Sequence, residues 1–164
     1  MLLNGNEFCD AIFTLGYNFF SGVPDSTLAS AFKVLETNRQ YRYVAAVRED
    51  NAVGVAVGAY LGGKQPAVFF QSSGLGVCMD ALVSLACLYK IPLLLIVGWR
   101  GVDGDEAPEH RAMGSALPHL LRAIGIAFWV PERSSVASAL KDARLWSLTE
   151  KRPSAVLIRR GMIE

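Results

Sequence analysis

The sequence predicts an α/β domain with three layers, α/β/α, around a mostly parallel sheet. Three observations predict it. Short apolar runs alternate along the chain with longer segments whose apolar residues recur at helical spacing, the pattern of repeated strand–helix units. The run Pro92 to Val97 is apolar at every position, which suits a strand covered on both faces. Polar and Gly-rich irregularities collect at four strand-to-helix junctions, Gly22–Ser26, Arg48–Asn51, Gln71–Gly76 and Gly98–His110. Right-handed crossovers in a parallel sheet place all four junctions at one end, where such sheets bind ligands.

The elements follow in order. Asn4 with Glu7 three residues on is a capping pair, and Phe8, Ala11, Ile12 and Leu15 form the apolar face of a first helix. Tyr17–Ser21 reads as an aromatic strand, stopped by Gly22-Val23-Pro24-Asp25-Ser26, where Asp25 or Ser26 caps a helix over Thr27–Leu35. Tyr41–Val47 reads as a buried strand and Glu49–Leu61 as a helix of Gly, Ala and Val. The loop 62–66 precedes a strand at Ala67–Phe70 and an apolar helix at Val77–Tyr89. After the strand Pro92–Val97 a long polar loop runs from Gly98 to His110. A helix at Leu117–Ile124, a strand at Ala127–Val130, a helix at Ser134–Thr149 and a strand at Ser154–Ile158 complete the chain.

The 164 residues suit a single domain over 1–164. Hydrophobic residues are 52% of the chain and charged ones 19%, greasier than an ordinary soluble domain. No window holds the roughly 18 uninterrupted apolar residues of a membrane span, so the excess belongs to buried sheet or to a subunit interface. A net charge of +1 gives no long-range pull toward nucleic acid or membrane. Cys9, Cys78 and Cys87 lack CxxC spacing and are expected as buried free thiols. With no signal-peptide pattern at the N-terminus, a cytoplasmic location is expected.

Residue chemistry narrows the junctions without fixing a reaction. Glu49 and Asp50 read either as an ordinary first-turn acidic pair or as one carboxylate, Glu49, aimed into a site. Ser72-Ser73-Gly74-Leu75-Gly76 suits an anion on a helix N-terminus, but it is neither a GK[ST] loop nor a GxGxxG turn, and no GxSxG nucleophile elbow is present. His110 and His119 lack metal-ligand spacing, so no metal site is expected on this chain. His119, after Pro118 at a helix start, reads as structural. His110 reads as a general acid/base or as a solvated loop histidine.

Taken together, Gly22-Val23-Pro24-Asp25-Ser26, Glu49-Asp50-Asn51-Ala52-Val53-Gly54, Gln71-Ser72-Ser73-Gly74-Leu75-Gly76 and Gly98-Trp99-Arg100-Gly101 resemble the thiamine-diphosphate enzymes. The match is to the N-terminal, pyrimidine-binding domain of the phosphonopyruvate and sulfopyruvate decarboxylases, in order and over essentially the whole chain. The resemblance implies that Glu49 hydrogen-bonds the ring nitrogen of the cofactor's aminopyrimidine. It implies that Asp25, with Ser26, lies near the substrate, that His110 handles a proton, and that Gln71, Ser72, Ser73 and Gly74 line the pyrimidine. Arg100 is the expected contact for an anionic substrate tail. The loop Asp105-Glu106-Ala107-Pro108-Glu109-His110 is one residue longer than the family's pattern.

The family binds magnesium diphosphate through a GDG motif, followed by an Asn, in a second domain. Here Asp103-Gly104-Asp105 has the wrong order and no Asn follows Asn51. The implied role is therefore the α subunit of a split decarboxylase, converting 3-phosphonopyruvate to phosphonoacetaldehyde and CO2, with 3-sulfopyruvate as the alternative substrate. A β subunit would hold most of the metal and diphosphate. A non-catalytic assembly subunit is a more distant reading, opposed by the presence of Glu49.

Overall fold

The computed structural model describes residues 3–102 and 107–164. Six strands form one parallel sheet in the order β2-β1-β3-β4-β6-β5. They are β1 (Phe19–Gly22), β2 (Tyr43–Ala45), β3 (Pro66–Gln71), β4 (Leu94–Gly98), β5 (Ala127–Trp129) and β6 (Ser154–Ile158). The helices are α1 (Gly5–Thr14), α2 (Ala29–Thr37), α3 (Glu49–Leu61), α4 (Gly74–Asp80), α5 (Pro108–Ala123) and α6 (Val136–Glu150). The expected three-layer α/β/α architecture is present.

The strands are apolar on both faces, and alternate residues feed two separate cores. Phe69, Leu94, Ile96, Val156 and Ile158 pack with Phe8, Ile12, Leu28, Phe32 and Leu140 on the side of α1, α2 and α6. Val68, Phe70, Leu95, Val97 and Leu157 pack with Ala52, Val53, Leu75, Leu82 and Leu117 on the side of α3, α4 and α5. Phe69 is the hub of the first core, edge-on to Phe8, Phe20 and Phe32.

Four expectations need correction. The strand read at Tyr41–Val47 is only Tyr43–Ala45 and is not buried. It lies at the sheet edge, paired with β1 alone among the described residues, and Val47 beyond it is 88% exposed. The helix expected from Val77 begins at Gly74, and past Asp80 it continues as a π-helical stretch, Ala81–Cys87. α5 starts at Pro108 and not at Leu117, so Pro108 to His110, expected as the end of a long loop, are helical. Pro108 sits at the first helical position, where its missing N–H costs nothing. His110 is therefore on the first turn of α5. His119 is an exposed residue inside that helix and not at its start, since Pro118 is an interior helix residue. Asp103, Gly104, Asp105 and Glu106 lie outside the described residues.

Cys9 and Cys78 are buried free thiols, both pushed up to about 12 chiefly by burial. Cys87 is free and half-buried. No helix among the described residues is long and apolar enough to cross a membrane.

Candidate active site

The carboxyl ends of β1 and β3 are adjacent, and the connections that leave them go to opposite faces. The chain after β1 enters α2 and the chain after β3 enters α4. A crevice opens at such a switch point, and the candidate residues gather around it.

Glu49 and Asp50 part company at once. The Asp50 carboxylate turns outward to Arg48, with N···O 3.0 Å, and that bond holds its pKa below the usual carboxylate range. Asp50 is thus the ordinary surface carboxylate of a helix start. Glu49, 9% exposed, turns inward instead. It lies so close to Gly74 that a Cβ there would sit 2.6 Å from its Cγ and 2.8 Å from Oε1. Gly74 is a glycine because Glu49 occupies the space of a side chain. Among the described residues no hydrogen bond reaches the Glu49 carboxylate. Its charge is felt by the Cys78 thiol, where it adds to the burial that raises that group.

Asp25 is the second buried acid, 7% exposed. It caps the short 3-10 turn Ser26–Leu28, with Oδ2 accepting the Thr27 N–H at 3.1 Å. Its Oδ1 is buried with no hydrogen-bond partner. Burial raises its pKa above the usual value, opposed by the Thr27 N–H and by the charge of Arg100. The carboxylate rests on the end of β4, where a Cβ on Gly98 would collide with Oδ2. Ser26 beside it is exposed.

Ser72 does something the sequence did not reveal. Its hydroxyl is buried and committed to the loop after β4. It accepts the Arg100 N–H at 2.8 Å and lies 3.1 Å and 3.2 Å from the carbonyls of Gly98 and Arg100 as donor. Gln71 ends β3, and Ser73, half-buried, stands at the start of α4 without a side-chain cap. Arg100 is half-buried, and its charge reaches Asp25. His110 is half-buried on α5, and its carbonyl lies against Gly101. The methyl of Met113, one turn further on, approaches Gly76 at the start of α4. The structure thus brings Glu49 and Gly74 together, and Asp25 together with Gly98, Ser72 and Arg100. Glycines 74, 98 and 101 were the sequence signal for these close approaches.

A parallel sheet that presents two buried carboxyls, each without a full set of partners, across a switch point defines a small-molecule or cofactor-binding α/β domain. The chain belongs to the thiamine-diphosphate enzymes. Residues 5–116 match the family described as thiamine pyrophosphate enzyme, N-terminal TPP binding domain. The chain is 34% identical over 149 residues to the sulfopyruvate decarboxylase subunit alpha of Methanococcus maripaludis, covering 90% of this chain and 89% of that one. It is 36% identical over 108 residues to the phosphonopyruvate decarboxylase of Streptomyces viridochromogenes, covering 65% of this chain and 27% of that one. The crystal structure of benzoylformate decarboxylase from Polynucleobacter necessarius shares the fold, with TM-score 0.71 and 20% identity over 97% of this chain and 30% of that chain.

The residues present fit the pyrimidine half of the cofactor. A buried carboxyl with an unfilled hydrogen-bonding capacity suits a ring nitrogen, and Gly74 leaves Glu49 the room a side chain would take. For the diphosphate half, no cluster of three or more His, Cys, Asp or Glu able to hold a metal ion occurs among the described residues.

Proposed function

We propose that this chain is the α subunit of a split thiamine-diphosphate-dependent decarboxylase acting on a three-carbon 2-oxo acid with an anionic tail. The observation that carries this reading is the isolated Glu49 carboxyl against Gly74. A charge-bearing group in a mostly apolar wall costs stability unless something meets it. Bound thiamine diphosphate supplies a carbon nucleophile and an electron sink for the leaving carboxylate. Glu49 would hold the pyrimidine ring by a hydrogen bond to its ring nitrogen. Asp25, desolvated and with Oδ1 open, faces the substrate with Ser26 beside it, while Arg100 meets the anionic tail. His110, on the first turn of α5, handles a proton. Gln71 and Ser73 flank the ring, whereas Ser72 fixes the backbone that carries Arg100.

The partner reading rests on two further facts. The relatives matched along most of their length are named as alpha subunits. The decarboxylases whose names carry no subunit designation extend well beyond the matched region, which is 27–30% of their length. A β subunit would bring Mg2+ and the diphosphate contacts. It would also cover the apolar outer faces of α3 and α4, where Val55 and Val77 are 38% and 41% exposed. The matches that cover most of the relative's length, to sulfopyruvate decarboxylase alpha subunits, favour 3-sulfopyruvate. The second reading, 3-phosphonopyruvate, is supported by identity that is as high over a shorter span.

The test is reconstitution with the β subunit and turnover of both keto acids. The parent complex decarboxylates one of them at least tenfold better in kcat/KM. Glu49→Gln lowers kcat by about 10²–10⁴, the scale of a lost proton-transfer group. Full activity of Glu49→Gln would remove the reading. So would micromolar binding of thiamine diphosphate and magnesium by this chain alone, which would remove the split site.

A further inference from the structure

Pro118 stands in the interior of α5, where proline normally breaks a helix because it lacks the N–H that would bond the carbonyl four residues back. That carbonyl is Gly114 O, and Gly114 is buried. It is met from outside the helix, since the Trp99 indole N–H donates to Gly114 O at 2.8 Å. The two anomalies cancel. Proline frees an acceptor, and an indole that would otherwise bury its donor uses it.

The surrounding residues show what this bond joins. Trp99 opens the loop after β4. Its backbone N–H is bonded to Ile158 O at 2.8 Å, and the Arg159 guanidinium lies 5.5 Å over its ring centroid. The loop presses on α5 where two residues have no side chain. A Cβ on Gly114 would fall on the Arg100 carbonyl, and a Cβ on Gly101, at φ +85°, would fall on the His110 carbonyl. On the other side the Ser72 hydroxyl takes the Arg100 N–H. The segment 98–101 is therefore fastened to the start of α4 by Ser72 and to α5 by Trp99. One end of this clamp carries Arg100, whose charge acts on Asp25, and the other carries His110.

We propose that Trp99 is a positioning residue that locks the Arg100 loop to the His110 helix, and that Pro118 is the residue that makes its bond available. The kinetic part rests on the decarboxylase reading above; the bond itself does not.

A double-mutant cycle with Trp99→Phe and Pro118→Ala tests it. In the parent background Trp99→Phe orphans a buried carbonyl and lowers Tm by several degrees. In the Pro118→Ala background the backbone N–H restored at that position satisfies Gly114 O, and the same change lowers Tm by less than half as much. Equal losses in the two backgrounds overturn the proposal. Hydrogen exchange on the full chain reads the clamp without any reaction. Amides 99–101 exchange at least tenfold faster in Trp99→Phe and also in the double variant, and parent-like exchange in the double variant overturns it. With the β subunit present, KM for the keto acid rises about fivefold or more in both variants while kcat stays within threefold. If KM recovers together with Tm in the double variant, the role is structural only and the positioning claim fails. Absence of turnover on either acid in the parent complex sinks the decarboxylase reading and leaves the Tm and exchange results to decide the bond.

Discussion

Helices α1 and α2 on one face of the sheet, and α3 and α4 on the other, are alike where they meet the strands and differ where they meet solvent. The outward positions of α1 and α2 are Asn6, Glu7, Asp10, Lys33 and Glu36, an ordinary wet surface. Those of α3 and α4 include Val55, Gly58, Gly76 and Val77, with Asn51 and Asp80 the exceptions, and Val83 is exposed on the π-helical stretch that follows. A helix that is apolar all round is normally buried all round. Gly54 and Gly58 sharpen the contrast. Each costs α3 up to about 1 kcal/mol relative to alanine, yet a Cβ at either would meet nothing within 4 Å. No contact among the described residues calls for these two glycines. Glycines 74, 98, 101 and 114 are different, because each is crowded by a named neighbour. The first face is finished by this chain, and the second is the one that the β subunit of the proposed reading would cover.

That difference can be broken or sharpened experimentally. Phe69→Ala, which empties the hub of the finished face, should cost about 3–5 kcal/mol in denaturant unfolding of the chain alone. On the other face Val55→Asp should leave unfolding within about 0.5 kcal/mol of the parent, as an exposed substitution. It should weaken β-subunit binding by about a hundredfold, some 2.7 kcal/mol, in titration calorimetry. Unchanged binding would place the interface elsewhere. Gly58→Ala should stabilise the chain by about 0.5–1 kcal/mol and still weaken assembly, a trade of sign that a free helix surface would not show.

The smallest effect concerns pH. Burial raises the Asp25 pKa, so the folded state holds its proton more tightly than the unfolded chain does. The contribution is complete below the ordinary value of 3.8 and is lost as pH rises through the raised folded value. Asn caps as well as Asp, so Asp25→Asn should match the parent at low pH and exceed its stability at neutral pH. Parallel stability profiles would show that Asp25 is not strained by its burial.

The sequence was most readable where one periodicity served one element. Pro92–Val97 announced β4, and four Gly-rich junctions announced the site end. It failed where the answer depended on distant neighbours. Local pattern cannot say that Tyr41–Val47 falls at a sheet edge, because strand order is a property of the whole sheet. The start of α5 is another such place: 98–110 is polar without periodicity and reads as loop to His110, and the helix pattern becomes plain only from Leu117. In the structure Pro108 sits where its N–H is not needed, Gly114 admits the Arg100 carbonyl, and the bond Pro118 forfeits is replaced by Trp99. Within the site, Glu49 and Asp50 are indistinguishable as neighbours in a chain. They separate only when Gly74 arrives from 25 residues away to receive one of them.

Parallel pairing also governs how the chain reaches this state. β1 must find β3 across the register Phe19↔Pro66, and β4 must find β6 across Leu94↔Ser154. Contacts so distant in sequence form slowly. During that delay the apolar strands have no cover, and the short edge strand β2, with Val44 exposed on it, offers unpaired backbone to any neighbour. Newly made chain is most vulnerable to clumping in that interval, so the yield of soluble protein should depend on how soon a partner is at hand.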